Sequence, residues 1–472
     1  MPTVIAKAAP LSGAPKIMMP TLYGVATGKE MFYVVPVLGE RPVTVSVSGL
    51  PEGLSFDGSR ISGTTAATGD HLITVTAENG LGKVEKAITL RVDTDAILLT
   101  PLMGYTTWNA CTRSVNQEYV AQVALQLKEK SLDLYGYNYI NIDSGWQLEY
   151  GGEFDAVIPN PKFPDMKALC DHLHAHGFKA GIYSTPMLTA WGCPTEYASI
   201  PGCTQGEPDI LETEQMEGIG LIHKEQNNVN QWEAWGFDYL KYDWKPCTPN
   251  VADRMKQALL ASKRAFAFCC TIRYSNMYYK YACKHINSWR DNADSKPFWE
   301  NVKRRLTTVD NWYGRTAVGH FYDLDMLEIG RMNILRGENT LTPDEQLFSY
   351  TMRAFFMSPI QISCHLDELN DWEYDLFTND EIIDVNQDAL CDYPEHLPYK
   401  NNGVDIFRRK LENGDMALAI FNSGDEIASD TIVLLEKSAI RDLWAKEDLG
   451  EKSAIEFTIE PHSAKIYRIH KI

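Results

Sequence analysis

A short apolar, aromatic segment that ends in a carboxylate is the strongest chemical signal in the sequence. Residues 237–242 read as a buried strand, which begins after a helix end at Gly236 and is followed directly by Asp243. Lys241 and Asp243 are two positions apart, so both side chains leave an extended strand on the same face. A neighbouring cation lowers the pKa of a carboxylate and keeps it ionised, as a nucleophile requires. A structural ion pair at a strand end explains these residues equally well.

Other carboxylates follow other predicted strands, namely Asp143, Asp294, Asp323 and Asp325. If the strands form a parallel barrel, their C-terminal ends share one rim, and these side chains come together there. Carboxylates in one pocket push each other's pKa values apart, so that one can act as an acid while another stays a base or nucleophile. Glycoside hydrolysis uses such a pair. Asp325 is better explained as a supporting carboxylate than as a catalyst.

Aromatic side chains stand beside these acidic positions, and their rings could pack against the C–H faces of a sugar. They are Tyr105, Trp108, Trp146, Tyr183, Trp244 and Trp289. Taken one at a time, each is explained as barrel core packing. Together with the carboxylates, they favour a sugar site.

The elements that must position these residues alternate between strands and helices, which is typical of a parallel sheet. Strands are predicted at 103–107, 137–142, 178–183, 239–242, 265–270, 286–289, 317–321 and 359–364. Helices are predicted at 116–134, 167–176, 224–235, 251–262, 298–308 and 343–357. Eight strands over this length predict a (β/α)₈ TIM barrel with insertions, residues 97–392. An open doubly wound sheet is disfavoured, because no Gly-x-Gly-x-x-Gly turn follows an early strand.

The sequences before and after the predicted barrel both show the alternating pattern of β-strands, so the chain is predicted to be multidomain. Residues 1–96, after a leading tail, carry short alternating runs separated by turn signals such as Asp57-Gly58 and Asn79-Gly80, which predict an Ig-like β-sandwich. Residues 393–472 predict a second, antiparallel β-sandwich.

Bulk composition excludes several classes of function. The 472 residues carry a formal net charge of −19, which argues against a nucleic-acid partner. No apolar run approaches the ~20 residues that span a bilayer. Ten cysteines without a Cys-x-x-Cys pair indicate neither a disulfide scaffold nor a zinc ribbon. With no leader visible, the compartment stays open: periplasmic or extracellular if a signal peptide was trimmed, otherwise cytoplasmic. The oligomeric state is not predicted.

Eight blocks of this sequence occur in the order found in glycoside hydrolase family 27, the family of α-galactosidases and α-N-acetylgalactosaminidases. The blocks are Met103-Gly-Tyr-Thr-Thr-Trp-Asn, Tyr139-Ile-Asn-Ile-Asp-Ser-Gly-Trp, Lys162-Phe-Pro-Asp-Met, Phe178-Lys-Ala-Gly-Ile-Tyr, Trp235-Gly-Phe-Asp-Tyr-Leu-Lys-Tyr-Asp-Trp, Trp289-Arg-Asp-Asn-Ala-Asp, Asp323-Leu-Asp-Met-Leu and Val385-Asn-Gln-Asp. The resemblance covers about residues 100–390. Separately, Gly49-Leu-Pro-Glu-Gly-Leu-Ser-Phe-Asp with Ile61-Ser-Gly resembles the Ig-like modules that precede some bacterial glycosidases.

The resemblance implies a retaining, exo-acting double displacement. The family's nucleophile falls on Asp243 and its acid/base on Asp294. No metal or organic cofactor is implied. The expected substrate is an α-galactoside-type oligosaccharide or glycoconjugate.

The resemblance also assigns sugar-binding roles to other positions. Arg290 and Lys241 match residues that contact the sugar, and Asp143 matches the aspartate that binds the C4 and C6 hydroxyls. Trp108 and Tyr183 match the aromatic walls.

Three departures from the family pattern affect substrate identity and a disulfide. Ser144 stands where the family usually has a second aspartate, which could admit a sugar lacking or altered at C6. The region 270–276 does not match the motif that reads the C2 substituent, and Arg273 there could meet an unusual substrate group or pair with a local carboxylate. The family would also suggest a Cys193–Cys247 disulfide, although two residues are inserted before Cys247.

Four alternatives to an α-galactosidase therefore stay open. On the same scaffold, the enzyme could be a β-L-arabinopyranosidase or an α-N-acetylgalactosaminidase. Schiff-base chemistry at Lys241 needs a neutral lysine, which the adjacent Asp243 disfavours. A catalytically inactive carbohydrate-binding protein is the remaining alternative, prompted by Ser144.

Overall fold

A computed structural model describes residues 4–186, 223–243, 247–272, 275–333, 336–401 and 403–472. The predictions for Trp244, Arg273 and Cys193 lie outside these ranges. Within them, no helix is long and apolar enough to cross a membrane.

The N-terminal region is built from short strands in two small sheets and a two-stranded ribbon. The strands are β1 Lys16–Ile17, β2 Leu22–Ala26, β3 Met31–Val34, β4 Val37–Leu38, β5 Thr44–Ser48, β6 Leu54–Phe56, β7 Arg60–Gly63, β8 Gly69–Asn79 and β9 Gly82–Asp93. Alternate residues of β8 and β9 are buried, because one face of their sheet packs on an apolar core. This is the predicted Ig-like region.

The central region is an eight-stranded, all-parallel sheet with the strand order of a (β/α)₈ barrel. Its strands are β10 Met103–Thr106, β11 Tyr139–Ile142, β14 Lys179–Ser184, β15 Tyr239–Tyr242, β16 Ala267–Thr271, β17 Ser288–Arg290, β18 Phe321–Tyr322 and β19 Ile360–Ile362. A hairpin, β12 Gln147–Gly151 and β13 Ala156–Pro159, follows β11. The end strands are linked where the Leu327 N–H donates to the Gln361 carbonyl at 2.9 Å. The predicted barrel is confirmed.

The helices follow the strands in alternation. They are α1 Trp108–Cys111, α2 Gln117–Glu129, α3 Met166–Ala175, α4 Glu225–Trp235, α5 Pro249–Ala261, α6 Ser275–His285, α7 Trp299–Leu306, α8 Pro343–Phe355, α9 Asp371–Phe377 and α10 Asp380–Asn386. Thr342 and Glu345 form a capping box at the start of α8. All residues of α8 from Glu345 onward are buried, because the C-terminal sheet covers its outer side; Trp444 Nε1 donates to Thr351 Oγ1 at 2.8 Å.

The C-terminal region is a six-stranded antiparallel sheet. Its strands are β20 Glu395–Asn401, β21 Val404–Lys410, β22 Met416–Asn422, β23 Ala428–Asp442, β24 Glu447–Ile459 and β25 Ser463–Lys471. The register between the two long strands, β23 and β24, shifts twice, and apolar residues from all six strands form a second small core. The domain boundaries at 96/97 and 392/393 stay predictions.

The N-terminal region packs against the end of the barrel opposite the strand C-termini. Lys29 Nζ donates to the Leu259 and Leu260 carbonyls at the end of α5, and Arg60 Nη2 donates to the His174 carbonyl at the end of α3. Helices of a parallel barrel end at the face where strands begin. This region is therefore remote from the barrel mouth.

The chain before β2 also joins separate parts of the molecule. The Lys7 N–H donates to the Trp444 carbonyl of the C-terminal region, and the Ala9 N–H donates to the Thr378 carbonyl between α9 and α10. Lys16 Nζ is 2.5 Å from Asp380 and 2.7 Å from Asp384 of α10. Met18 and Leu38 belong to the same buried apolar cluster as the barrel.

Candidate active site

A cavity of about 590 Å³ opens at the C-terminal ends of the barrel strands. It is lined by Trp108, Thr112, Arg113, Asp143, Ser144, Tyr183, Lys241, Asp243, Thr271, Arg290, Asp291, Asn292, Ala293, Asp294, Met326 and Arg336. The predicted residues Trp108, Asp143, Ser144, Tyr183, Lys241, Asp243, Arg290 and Asp294 are in this set. Asp323 and Asp325 do not line the cavity. Tyr105, Trp146 and Trp289 do not line it either, because they are buried in the barrel core, which is the alternative explanation given for each of them. Arg273 lies outside the described residues.

The floor of the cavity is an ion-paired layer supplied by β11, β14 and β15. Lys241 lies beside Tyr183 in the parallel register, and its Nζ lies 5.7 Å from the centroid of the Tyr183 ring. The same nitrogen is 2.7 Å from Asp143 Oδ2 and 3.7 Å from Asp243 Oδ2. The short apolar strand β15 thus holds a lysine between two carboxylates, as the spacing of Lys241 and Asp243 predicts.

Charge and burial act in opposite directions on this floor. Burial alone would lower the pKa of Lys241, but Asp143 and Asp243 raise it above its usual range. Burial raises the pKa of Asp143 against the pull of the lysine ammonium. A lysine held in its charged form cannot attack a carbonyl, so Schiff-base chemistry does not fit this geometry.

Arg290, the last residue of β17, connects three carboxylates across the cavity. Its Nη2 lies 3.2 Å from Asp243 Oδ1, and its Nη1 lies 2.8 Å from Asp294 Oδ1 and 2.9 Å from Asp325 Oδ2. Asp243 and Asp294 therefore face one cavity, separated by one guanidinium group and two hydrogen bonds. Burial would raise the pKa of Asp325, yet Arg290 and other cations hold it well below its usual range. Asp325 does not line the cavity and contacts it through Arg290, a position that suits the predicted supporting role.

Three of the four carboxylates that line the cavity, those of Asp143, Asp243 and Asp294, differ strongly in exposure. The Asp143 side chain is 3% exposed, that of Asp243 13% and that of Asp294 50%. Depth therefore increases from Asp294 at the rim through Asp243 to Asp143 at the floor. A sugar ring bound on the floor would place its anomeric carbon near Asp243 and its leaving group toward solvent at Asp294.

Ser144 lies at the floor beside Asp143. Its N–H donates to Asp143 Oδ1 at 2.7 Å, while its buried Oγ has no hydrogen-bond partner among the described residues. The Tyr183 hydroxyl is also buried and has no hydrogen-bond partner within the described part of the chain. Buried polar atoms without partners are costly, and a sugar hydroxyl could satisfy them.

Thr271, Arg113 and Arg336 line the cavity but were not predicted from the sequence. Thr271, the last residue of β16, pairs with Arg290 in the parallel register and donates its hydroxyl to Asp243 Oδ1. Placing the fifth strand one residue later would have found it. Arg113 lies in the 3-10 turn Thr112–Ser114 and Arg336 in the connection between β18 and α8, and neither position carries a local signal.

The described residues include no group of three or more His, Cys, Asp or Glu side chains arranged to hold a metal ion. Asp143, Asp243 and Asp294 pair with Lys241 or Arg290, and Asp291 accepts a hydrogen bond from the Tyr322 hydroxyl at 2.6 Å. Cys247 is buried, and the residue suggested as its disulfide partner lies outside the described ranges.

The cavity at the mouth of this parallel barrel thus contains carboxylates of unequal burial that are ion-paired with a lysine and an arginine. This arrangement is suited to glycoside hydrolysis. Three family models match the chain: "Putative Ig domain" over residues 16–93, "Alpha galactosidase A" over 213–388 and "Alpha galactosidase C-terminal beta sandwich domain" over 401–469.

Curated relatives and solved structures agree with these matches. Alpha-galactosidase 2 of Arabidopsis thaliana is 28% identical over 389 residues, covering 79% of this chain and 90% of its own. The rice α-galactosidase is 28% identical over 405 residues, covering 83% and 85%. A crystal structure from Bacteroides fragilis, described as "a putative alpha-galactosidase", has a TM-score of 0.85 and 25% identity and covers 99% of this chain and 100% of its own.

A further solved structure shares the barrel and the region that follows it. The β-L-arabinopyranosidase of Geobacillus stearothermophilus has a TM-score of 0.69 and 21% identity, covering 79% of this chain and 97% of its own. The protein is thus a glycosidase. Its family-model matches and its curated relatives are those of α-galactosidases, in agreement with the resemblance of its motifs to glycoside hydrolase family 27.

Proposed function

We propose that the protein is a retaining, exo-acting α-galactosidase. The single observation that carries the proposal is the pair of contacts made by Arg290, which joins a largely buried Asp243 and a half-exposed Asp294 in one cavity. Unequal environments suit unequal roles, because Asp243 lies largely buried between Lys241 and Arg290 while Asp294 faces the solvent, from which a leaving group departs and water arrives.

In the first step, an oxygen of Asp243 attacks the anomeric carbon as the bond from that carbon to the leaving oxygen breaks. Asp294 supplies its proton to that oxygen, so the leaving group departs as a neutral alcohol. The product is a glycosyl ester on Asp243. In the second step, Asp294 removes a proton from water, which attacks the same carbon and releases Asp243 as a carboxylate.

The floor residues supply recognition. Asp143 accepts and Lys241 donates hydrogen bonds to the sugar hydroxyls, and Tyr183 and Trp108 form apolar walls. Asp143 is buried at the floor of the cavity, as expected of a pocket that ends beneath a terminal sugar. This buried floor supports cleavage at chain ends rather than within chains.

The test compares the wild-type protein with Asp243→Asn on a panel of 4-nitrophenyl glycosides. We expect the wild-type protein to hydrolyse the α-D-galactopyranoside and Asp243→Asn to lose this activity. After incubation of the wild-type protein with a slow fluorinated galactosyl donor, mass spectrometry should show a galactosyl adduct on Asp243. Asp171→Asn, the same change on the exposed face of α3, is the control and retains activity. NMR of the first-formed sugar anomer tests retention. Full activity of Asp243→Asn, or inversion at the anomeric carbon, would overturn the mechanism.

The second candidate is a β-L-arabinopyranosidase, favoured by the unpartnered Ser144 Oγ on the floor. L-arabinopyranose has the galacto ring without C6, so it does not need a second carboxylate beside Asp143. A higher kcat/KM on 4-nitrophenyl β-L-arabinopyranoside than on the α-D-galactopyranoside would select this candidate. In either case, we expect Ser144→Asp to shift the ratio toward galactose.

A further inference from the structure

The rim of the cavity beyond Asp294 is formed by α1 and the loop that follows β18. The Asn333 N–H donates to the Asn109 carbonyl at 2.8 Å, and Asn333 Nδ2 lies 3.4 Å from the Cys111 carbonyl. These bonds seat the loop on α1. Together they make one wall, next to the half-exposed Asp294.

Arg336 is fixed in this wall with one edge directed at the cavity. Its Nε donates to Asn109 Oδ1 at 2.9 Å, and its Nη2 donates to the Ser295 carbonyl at 2.6 Å. The remaining nitrogen, Nη1, lies 3.7 Å from Asp294 Oδ2. The side chain is only 10% exposed, so its position is set by the protein before any ligand arrives.

A second arginine belongs to the same wall. Arg113 lies two residues beyond Cys111, lines the cavity and is exposed. The protein as a whole carries a formal charge of −19, which repels anions. This wall nevertheless carries two guanidinium groups, beside Asp294 and at the position where a leaving group would emerge.

Guanidinium groups recognise carboxylate and related oxyanions through paired, charge-assisted hydrogen bonds. We propose that this wall is a leaving-group subsite for an acidic substituent, so that preferred substrates carry the terminal sugar on an acidic residue such as a uronic acid. The inference rests on the proposed function, because it uses the orientation that places the leaving group at Asp294. Arg336 is its principal contact, and Arg113 adds a second, solvent-facing charge.

The competing explanation is that Arg336 only tethers its loop to α1. The two explanations differ in one measurable quantity, the ratio of kcat/KM for an acidic and a neutral leaving group of the same shape. If Arg336 is only a tether, its replacement lowers kcat/KM equally for both substrates. A subsite affects the acidic one more.

The experiment uses 3-carboxyphenyl and 3-carbamoylphenyl glycosides of the sugar that the panel selects, with a 3-sulfophenyl glycoside to compare carboxylate with sulfonate. A hydrogen bond to a charged group contributes about 1.5–3 kcal/mol, so we expect the wild-type protein to favour the carboxylate by about 10-fold or more. The neutral amide is the better leaving group electronically, so intrinsic reactivity works against this preference.

Arg336→Gln should bring the ratio close to one, and Arg336→Lys should keep part of the preference. Arg331→Gln is the matched control, because Arg331 belongs to the same loop but pairs with Glu368 on the surface. No acid preference in the wild-type protein, or equal losses on both substrates in Arg336→Gln, would overturn the inference while leaving the proposed function intact. Failure to hydrolyse either substrate would instead refute the proposed function, and the inference with it.

Discussion

Replacing Lys241 by Met tests the charge arrangement at the cavity floor. The side chain keeps its length and loses the ammonium that lies 2.7 Å from Asp143 and 3.7 Å from Asp243. Breaking a buried ion pair by removing one partner typically costs about 3–5 kcal/mol. Asp243 keeps its Arg290 contact at 3.2 Å and the cavity admits water, so we expect the lower end, about 3 kcal/mol.

The loss should depend on pH. The raised pKa of Lys241 means that its stabilisation is fully present below the unfolded-state value of about 10.4 and is lost only as pH rises through the higher folded-state value. In the variant, Asp143 has lost its cation, and its pKa, already raised by burial, rises further. A carboxyl whose pKa is raised on folding stabilises the folded state as pH falls. The variant should therefore be closer to wild type at pH 5 than at pH 8.

The measurement is differential scanning calorimetry at both pH values. A saturating monosaccharide that raises one transition identifies the transition of the barrel. At about 2.1 cal/mol/K of unfolding entropy per residue, a loss of about 3 kcal/mol lowers the midpoint by roughly 5 °C for a barrel of about 300 residues. Lys241→Arg keeps the positive charge, so its thermal midpoint should fall less than that of Lys241→Met. Midpoints for Lys241→Met within about 1 °C of wild type at both pH values would refute the reasoning about buried charge.

Three further outcomes are expected. Asp294→Asn should lower kcat/KM about 10²–10⁴-fold for sugar leaving groups and much less for 2,4-dinitrophenolate, which needs no proton, as measured by initial rates. Asp325→Asn removes a buried partner of Arg290. Because the pKa of Asp325 is held below its usual range, its stabilisation is present above about pH 4 and lost below, so thermal midpoints of variant and wild type should converge on acidification. Gly181→Ala would place a Cβ 2.0 Å from Asn141 Oδ1 and should cost about 1–3 kcal/mol in denaturant unfolding.

The strands could be predicted because parallel strands buried on both faces are continuous apolar runs bounded by turn residues. Their ends were less predictable. The fifth strand was predicted at 265–270 and lies at Ala267–Thr271, and the seventh was predicted at 317–321 and is reduced to Phe321–Tyr322. Strand ends are set by pairing with neighbours in the barrel, which no local pattern contains.

Four helices were missed, for different reasons. Trp108–Cys111 is a single turn, too short for an apolar period. Ser275–His285 is polar and tyrosine-rich, so its sequence shows no clear apolar period. The last two, Asp371–Phe377 and Asp380–Asn386, are short, but both follow an asparagine cap that was a usable signal.

The site was predicted where it depends on motifs and missed where it depends on tertiary contacts. Asp243, Asp294 and Arg290 follow strands with recognisable sequences, and the structure brings them together. Arg336 reaches the cavity only because Asn109, far away in the sequence, accepts its hydrogen bond. A loop of ordinary composition gives no indication of such a contact.

The run of chain before β2 has a practical consequence for engineering. Lys7 bonds to Trp444 of the C-terminal region, Ala9 bonds to Thr378 after α9, and Met18 belongs to the apolar cluster of the barrel. This stretch therefore links the N-terminal region to both the barrel and the C-terminal region. The N-terminal region therefore cannot be deleted without disturbing the packing of the other two regions. Cutting it away for grafting or shortening would open apolar surface on the catalytic unit and leave Asp380 without its Lys16 contact, even though the catalytic mouth lies on the opposite face.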